Sequence, residues 1–387
     1  MIDFENDNLA DQTSAARIKV LGVGGAGGNT INSMIDSEYS GVEFIAANTD
    51  AQALKSSKAP LKLQLGSKST KGLGAGANPE LGKRAAEEDL ETIEKYLSGA
   101  DVVFLTGGLG GGTGSGALPV IARVLKDHGI LTIAVITKPF EFEGKRRMTV
   151  ANQALELLKK DVDTLIVIPN QKLLDITDQQ VSLINAFGLI NNVVHQFVRS
   201  ISDIITCPGH INVDFADVKA IMKDMGLAVM GTGRASGIDR AQEAALEAIT
   251  SPLLENMDIK GARGVLLNIT GSSKLGLHEV SAATSIIYEQ AHKDASIILG
   301  AVIDESMGDE VSVTIIATGF ESEMETQPAI QVKPTTRHHE TMQEPVQEAP
   351  RVSVQKQETH IIINTDDIEV PTALRRMAQE QQSQNKN

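Results

Sequence analysis

The chain has 387 residues, 41% hydrophobic and 22% charged, enough for two or three globular domains with sizeable cores. Its formal charge of −15 excludes a nucleic-acid or anionic-membrane binder working through bulk charge, and 3% aromatic residues with no Trp leave few platforms for stacked bases. The single cysteine, Cys207, excludes an intrachain disulfide framework or a Cys-rich zinc site. With no apolar run of about 18 residues and an acidic start unlike a signal peptide, the chain reads as cytosolic and not inserted in a membrane.

Residues 1–15 read as a disordered acidic N-terminus. A β-rich run at 17–23 (RIKVLGV) meets glycines and then a helix from about residue 29, and 42–47 (VEFIAA) reads as a second strand. An amphipathic helix is expected over 83–97, a strand at 101–105 and a helix over 117–128. Strands at 130–136 and 164–168 flank a helix near 146–160. This alternation predicts an α/β fold with a Rossmann-like, mostly parallel sheet and helices on both faces, over residues 16–181. A long central helix is expected at 182–206. Strands near 227–232, 265–270, 296–303 and 311–318 alternate with helices near 238–250 and 277–291, giving a second, smaller α/β domain at 207–320. None of the 34 glycines lies beyond Gly319. Residues 321–360, rich in Pro, Gln, Glu and Thr, read as a disordered linker, and 361–387 as a partner-binding peptide.

The glycines carry the functional signal. The loop at 22–29 (GVGGAGGN) follows a strand and opens a helix, so its N–H groups and the helix N-terminus suit an anion. It also fits a dinucleotide fingerprint, with Asp50 near the expected ribose carboxylate, and a tight strand–helix turn explains it equally. The loop at 107–116 (GGLGGGTGSG) tips the balance, because so glycine-rich a backbone is costly to order unless it wraps a ligand such as a di- or triphosphate. A third stretch at 72–79 (GLGAGANP) is placed to close over a terminal phosphate. No Walker A lysine accompanies these loops, so backbone dipoles and a metal are expected to share the phosphate charge.

The segment 110–116 (GGGTGSG) is similar to the signature of the tubulin/FtsZ family. Further matches are GVGGAGGN at 22–29, NTDAQAL at 48–54, KGLGAGANP at 71–79, TKPFEFEGKRRM at 137–148 and NVDFADV at 212–218. Six motifs in order, over nearly all of 17–320, make the resemblance specific. It implies a GTP-binding, GTP-hydrolysing cytoskeletal protein that polymerises head to tail at the bacterial division site. Nucleotide would lie on Gly24, Gly25, Ala26, Gly27, Gly28 and Asn29, on Gly74, Ala75 and Gly76, and on Gly111, Gly112, Thr113 and Gly114. Asn48 and Asp50 would sit near the phosphates and Mg2+, and Glu143 and Arg147 near the ribose.

Read on their own, Glu143 and Arg147 form an i, i+4 pair that also suits a helical ion pair. Phe187 and Asn191, likewise i, i+4, offer a ring for stacking and an amide for a guanine edge; they also suit core and polar surface, and Asn192 is a rival for the amide role. Asp214 and Asp217 open an apolar-periodic run, which is the pattern of helix capping. The resemblance gives these two, with Asn212, another role: on a loop inserted into the next subunit's nucleotide site, polarising the attacking water. It further implies that residues 366–376, with Ile368, Val370 and Leu374 as apolar anchors and Arg375 and Arg376 as charges, dock on membrane-tethering adaptors and division regulators. Ala373 stands where the family usually has an aromatic. The rivals are an NAD-dependent oxidoreductase, for which no hydride-transfer residues are evident, and a nucleotide-binding regulator without catalysis.

Overall fold

The computed structural model describes residues 16–37, 39, 41–175, 177, 181–206, 213–254 and 259–320. The expected N-terminal tail, linker and C-terminal peptide, and with them Asn212 and Cys207, lie outside the described residues.

Ten strands form one sheet: β1 (Ile18–Val23), β2 (Glu43–Asn48), β3 (Leu61–Gln64), β4 (Val102–Gly108), β5 (Leu131–Lys138), β6 (Thr164–Pro169), β7 (Gly226–Ser236), β8 (Gly264–Gly271), β9 (Ser296–Ile303) and β10 (Glu310–Thr318). Their order is β3-β2-β1-β4-β5-β6-β7-β10-β8-β9. All pairings are parallel except those of β10, which runs antiparallel to β7 and β8, so the mostly parallel expectation holds. β6 meets β7 over Thr164–Gly226, Leu165–Leu227 and Ile166–Ala228 only.

The helices are α1 (Gly24–Asp36), α2 (Ala51–Ser56), α3 (Ser67–Thr70), α4 (Pro79–Glu88), α5 (Leu90–Leu97), α6 (Thr113–Asp127), α7 (Lys145–Leu158), α8 (Asn170–Asp175), α9 (Leu183–Thr206), α10 (Phe215–Met222), α11 (Arg240–Ile249) and α12 (Leu277–Gln290). Strands buried on both faces read as continuous apolar runs, and β1 and β4 do so. Val20 and Phe104 face a core shared with Ile31 and Met34 of α1 and with α9, while Leu21 and Leu105 face one shared with Leu118 and Ile121 of α6. Thus α1 and α6 lie on opposite faces of the sheet. A third cluster joins α11 and α12 to β8 and β10.

The expected helix over 83–97 is two helices. Glu88 and Asp89 are drawn aside to accept the N–H groups of Lys68 and Ser69 and of Gly66, at 2.6–3.0 Å, and the axis breaks there. The long helix α9 buries Ile190, Val194, Phe197, Val198, Ile201 and Ile204, a 3.6-period stripe in which each side chain contributes roughly 1.5–3 kcal/mol.

The same helix carries His195, which is buried, packs edge-on to Tyr39 at 5.9 Å and has no partner for Nε2 among the described residues. Burial, reinforced by the Arg199 charge, pushes its pKa below the ordinary 6.5. As pH falls below about 6.5, the unfolded chain takes up a proton that the folded chain refuses, so stability declines until the lower folded pKa is passed. His195→Gln should therefore flatten this part of the pH dependence of Tm; an unchanged slope would show that His195 titrates alike in both states.

Candidate nucleotide site

In the order β2-β1-β4-β5, chain direction across the sheet reverses between β1 and β4, and ligands of open α/β sheets bind outside the carboxyl ends of the strands at such a point. A cleft of about 350 Å³ opens there. Two helix N-termini border it, Gly24 of α1 and Thr113 of α6, and neither carries a side-chain cap. Asp50 caps α2, Asn78 caps α4 and Asp214 caps α10, while α3, α5, α7 and α11 also lack a side-chain cap. The first-turn N–H groups of α1 and α6 are thus left for an anion, reinforced by both helix dipoles.

The glycines divide into two sets. A Cβ on Gly114 would stand 2.3 Å from the Gly108 carbonyl oxygen, and one on Gly116 2.1 Å from that of Pro79, so these positions are glycine because backbones touch. Gly27 belongs with them, pressed on Thr106. Around Gly25, Gly28 and Gly111, by contrast, a Cβ would meet nothing within 4 Å, so the neighbouring protein does not account for the glycine there.

Of the residues singled out from sequence, Gly24, Gly25, Ala26, Asn29, Gly111, Gly112, Thr113, Gly114, Glu143, Arg147, Phe187 and Asn191 line this cleft. Gly28 and Asn48 line an adjoining hollow that shares Gly24, Gly25 and Asn29 with it. The third glycine stretch does not line either space. It hangs on the chain after β2, where Gly74 N–H donates to Thr49 O at 3.2 Å, and Ala75 backs Gly112. Asp50 caps α2 through Oδ1, which accepts the N–H groups of Gln52 and Ala53. Among the described residues, no three His, Cys, Asp or Glu side chains converge as a protein-only metal cage.

Glu143, at the end of a 3-10 turn (Glu141–Glu143) just before α7, is ion-paired with Arg147 of α7 and also accepts the Phe140 N–H at 3.0 Å. Phe187 packs edge-on to Phe140, centroids 5.4 Å apart, and Phe140 stacks on Phe142. Asn191, not its exposed neighbour Asn192, faces the cleft. Asp214 and Asp217 are exposed and line no part of it; Asp214 Oδ1 accepts the Asp217 N–H at 2.8 Å.

Thr30 and Asn170 are among the lining residues that escaped the sequence reading. Thr30 carries no motif signal. Asn170 is 5% exposed, and its Oδ1 has no hydrogen-bond partner among the described residues, a cost that a ligand donor in the cleft would relieve. Its place at the carboxyl end of β6 was the available clue.

Residues 17–178 match the Tubulin/FtsZ family GTPase domain, and 226–321 match the FtsZ family C-terminal domain. The chain belongs to the tubulin/FtsZ family and is a GTPase, with a sheet, glycine loops and cleft to suit. Within that family its relatives are of the FtsZ kind. It is 50% identical over 369 residues to Cell division protein FtsZ of Pseudomonas aeruginosa, covering 95% of this chain and 90% of the relative. It is 51% identical over 363 residues to Cell division protein FtsZ of Pseudomonas putida, covering 93% and 89%. A solved FtsZ dimer from M. jannaschii is similar at TM-score 0.76 and 45% identity, over 80% of this chain and 89% of that one. A CetZ2 protofilament with bound GTPγS from Haloferax volcanii shares the fold at TM-score 0.67 and 20% identity, over 79% and 94%.

Proposed function

We propose that the protein hydrolyses GTP in a head-to-tail polymer that serves cell division, each nucleotide site being completed by Asp214 and Asp217 of the adjacent copy. One observation carries this reading: among the described residues the cleft offers uncapped helix N-termini but no free carboxylate. Its one lining acid among them is Glu143, which is engaged by Arg147 and by the Phe140 N–H. Phosphoryl transfer to water needs a group that orients the nucleophile, and the exposed pair on α10 is what a neighbour would supply. Asn212 belongs to the same proposed segment. A contact between unlike faces that does not close into a ring generates an open filament, the kind of assembly named for the CetZ2 relative, as a dimer is for that of M. jannaschii.

In this reading the first-turn N–H groups of α1 and α6 hold the phosphates, Glu143 and Arg147 the ribose, and Phe187, Asn191 and Asn170 the guanine. Mg2+ bound with the phosphates would neutralise their charge, Asn48 and Asp50 being the side chains that would share it. Gly74, Ala75 and Gly76 complete the rim. Residues 16–181 serve as the nucleotide domain and 207–320 as the domain presented to the neighbour's site. Residues 366–376 are proposed to dock on membrane-tethering adaptors and division regulators, placing the polymer at mid-cell; their sequence supports this.

The test is phosphate release from GTP as a function of protein concentration. Turnover per molecule should rise steeply as polymers form and be low below that point, while GTP binding persists throughout. Turnover that is constant per molecule at all concentrations would overturn the shared site.

A further inference from the structure

Thr30 lies in the second turn of α1, 3% exposed, and lines the cleft beside Asn191. Its Oγ1 is 3.1 Å from the carbonyl oxygen of Ala26, one turn back, and 3.1 Å from Oδ1 of Asn191. A hydroxyl has one proton, so it serves one of these acceptors at a time. When it donates to Asn191, the amide oxygen is tied to α1 and the amide nitrogen is left for a base. The two ends of an amide are nearly the same size, and a half-turn exchanges them without displacing a neighbour. Thr30 then donates to Ala26 O and accepts from Asn191 Nδ2, and Oδ1 turns to the base.

Only the second arrangement suits guanine. Its edge presents N1–H and N2–H2, which are donors, and needs an acceptor. We infer that Thr30 is a positioning residue that selects guanine: by holding the amide nitrogen of Asn191, it makes an ambivalent side chain act as an acceptor. The inference rests on the proposed reading of Asn191 as a base-edge residue and deepens it. A carboxylate at position 191 would show an oxygen whichever way it turned and would not need Thr30.

The experiment measures the affinities of the full-length chain for GTP and for xanthosine triphosphate (XTP), whose C2 carbonyl accepts where guanine's amino group donates. The wild type should prefer GTP. Thr30→Val keeps the shape and loses the hydroxyl, freeing Nδ2 for the C2 carbonyl; the GTP-to-XTP preference should fall roughly tenfold, GTP weakening while XTP tightens. Thr30→Ser should restore it, and in an Asn191→Asp background Thr30→Val should leave the ratio unchanged. A merely structural defect would weaken both nucleotides together, and that result overturns the inference, as does an unchanged ratio in Thr30→Val. Should the valine variant fail to fold, Thr30→Ala serves for the same comparison. A wild type indifferent between GTP and XTP would overturn the reading of Asn191 itself, and this inference with it.

Discussion

Asp217→Ala should leave GTP binding at wild-type strength and reduce hydrolysis by roughly a hundredfold or more, the scale set by a positioned acid–base group. Asp217 is exposed, lines no part of its own cleft and donates only its backbone N–H to the Asp214 cap, which alanine preserves. The cap that Asp214 makes and the role in hydrolysis proposed for it must be separated. Asp214→Ala removes the cap at a cost of about 1 kcal/mol as well as the charge, whereas Asp214→Asn keeps the cap and removes the charge alone. If the asparagine variant hydrolyses GTP like the wild type, Asp214 is a helix cap and nothing more. Catalysis across the contact has a further signature. Mixing Asp217→Ala with a variant that cannot bind GTP should give activity that neither shows alone, because one contributes the cleft and the other the carboxylate. A mixture as inactive as its components would show that the two aspartates act within one chain or not at all.

The second large effect contrasts Gly111, in the loop before α6, with Gly116, inside α6. In Gly116→Ala the new Cβ meets the Pro79 carbonyl oxygen at 2.1 Å, backbone against backbone, and α4 and α6 must separate. Thermal unfolding without nucleotide should show Tm lowered by several degrees. In Gly111→Ala the Cβ meets nothing within 4 Å, so Tm should not move, while GTP affinity should drop roughly tenfold as the methyl occupies ligand space. Calorimetric titration reads the second effect. Wild-type affinity in Gly111→Ala would mean that the open glycines do not mark the phosphate path.

What could be read in advance followed from local periodicity. The apolar runs of β1, β4, β5 and β6 and the stripe of α9 appear in sequence because burial imposes a repeat on consecutive residues. β3 was missed: it is a four-residue edge strand with one buried side chain, too short to show a repeat. The break at Asp89 was missed for a different reason. Residues 83–97 are amphipathic throughout, and the acids that end α4 are recruited by backbone N–H groups some 20 residues earlier. The glycine loops announced a phosphate site, yet the sequence does not say which glycines make room for a ligand and which for another backbone. Thr30 had no signal of its own and Asn170 only its place after β6, because their significance lies in what surrounds them, a shared hydroxyl proton in one case and an unanswered carbonyl oxygen in the other.

The length of α9 has a consequence for assembly. Its 24 residues span about 36 Å, with Phe187 and Asn191 in its opening turns and the path toward Asp214 leaving from its far end. In the proposed fibre, one end of this rod addresses a molecule's own nucleotide and the other leads to the carboxylates meant for the next. In that proposed arrangement the rod would act as a ruler, its length bearing on the distance from one nucleotide to the next. Val194, Phe197, Val198, Ile201 and Ile204, which seat it in the core, would then bear on fibre periodicity as well as the surfaces that touch.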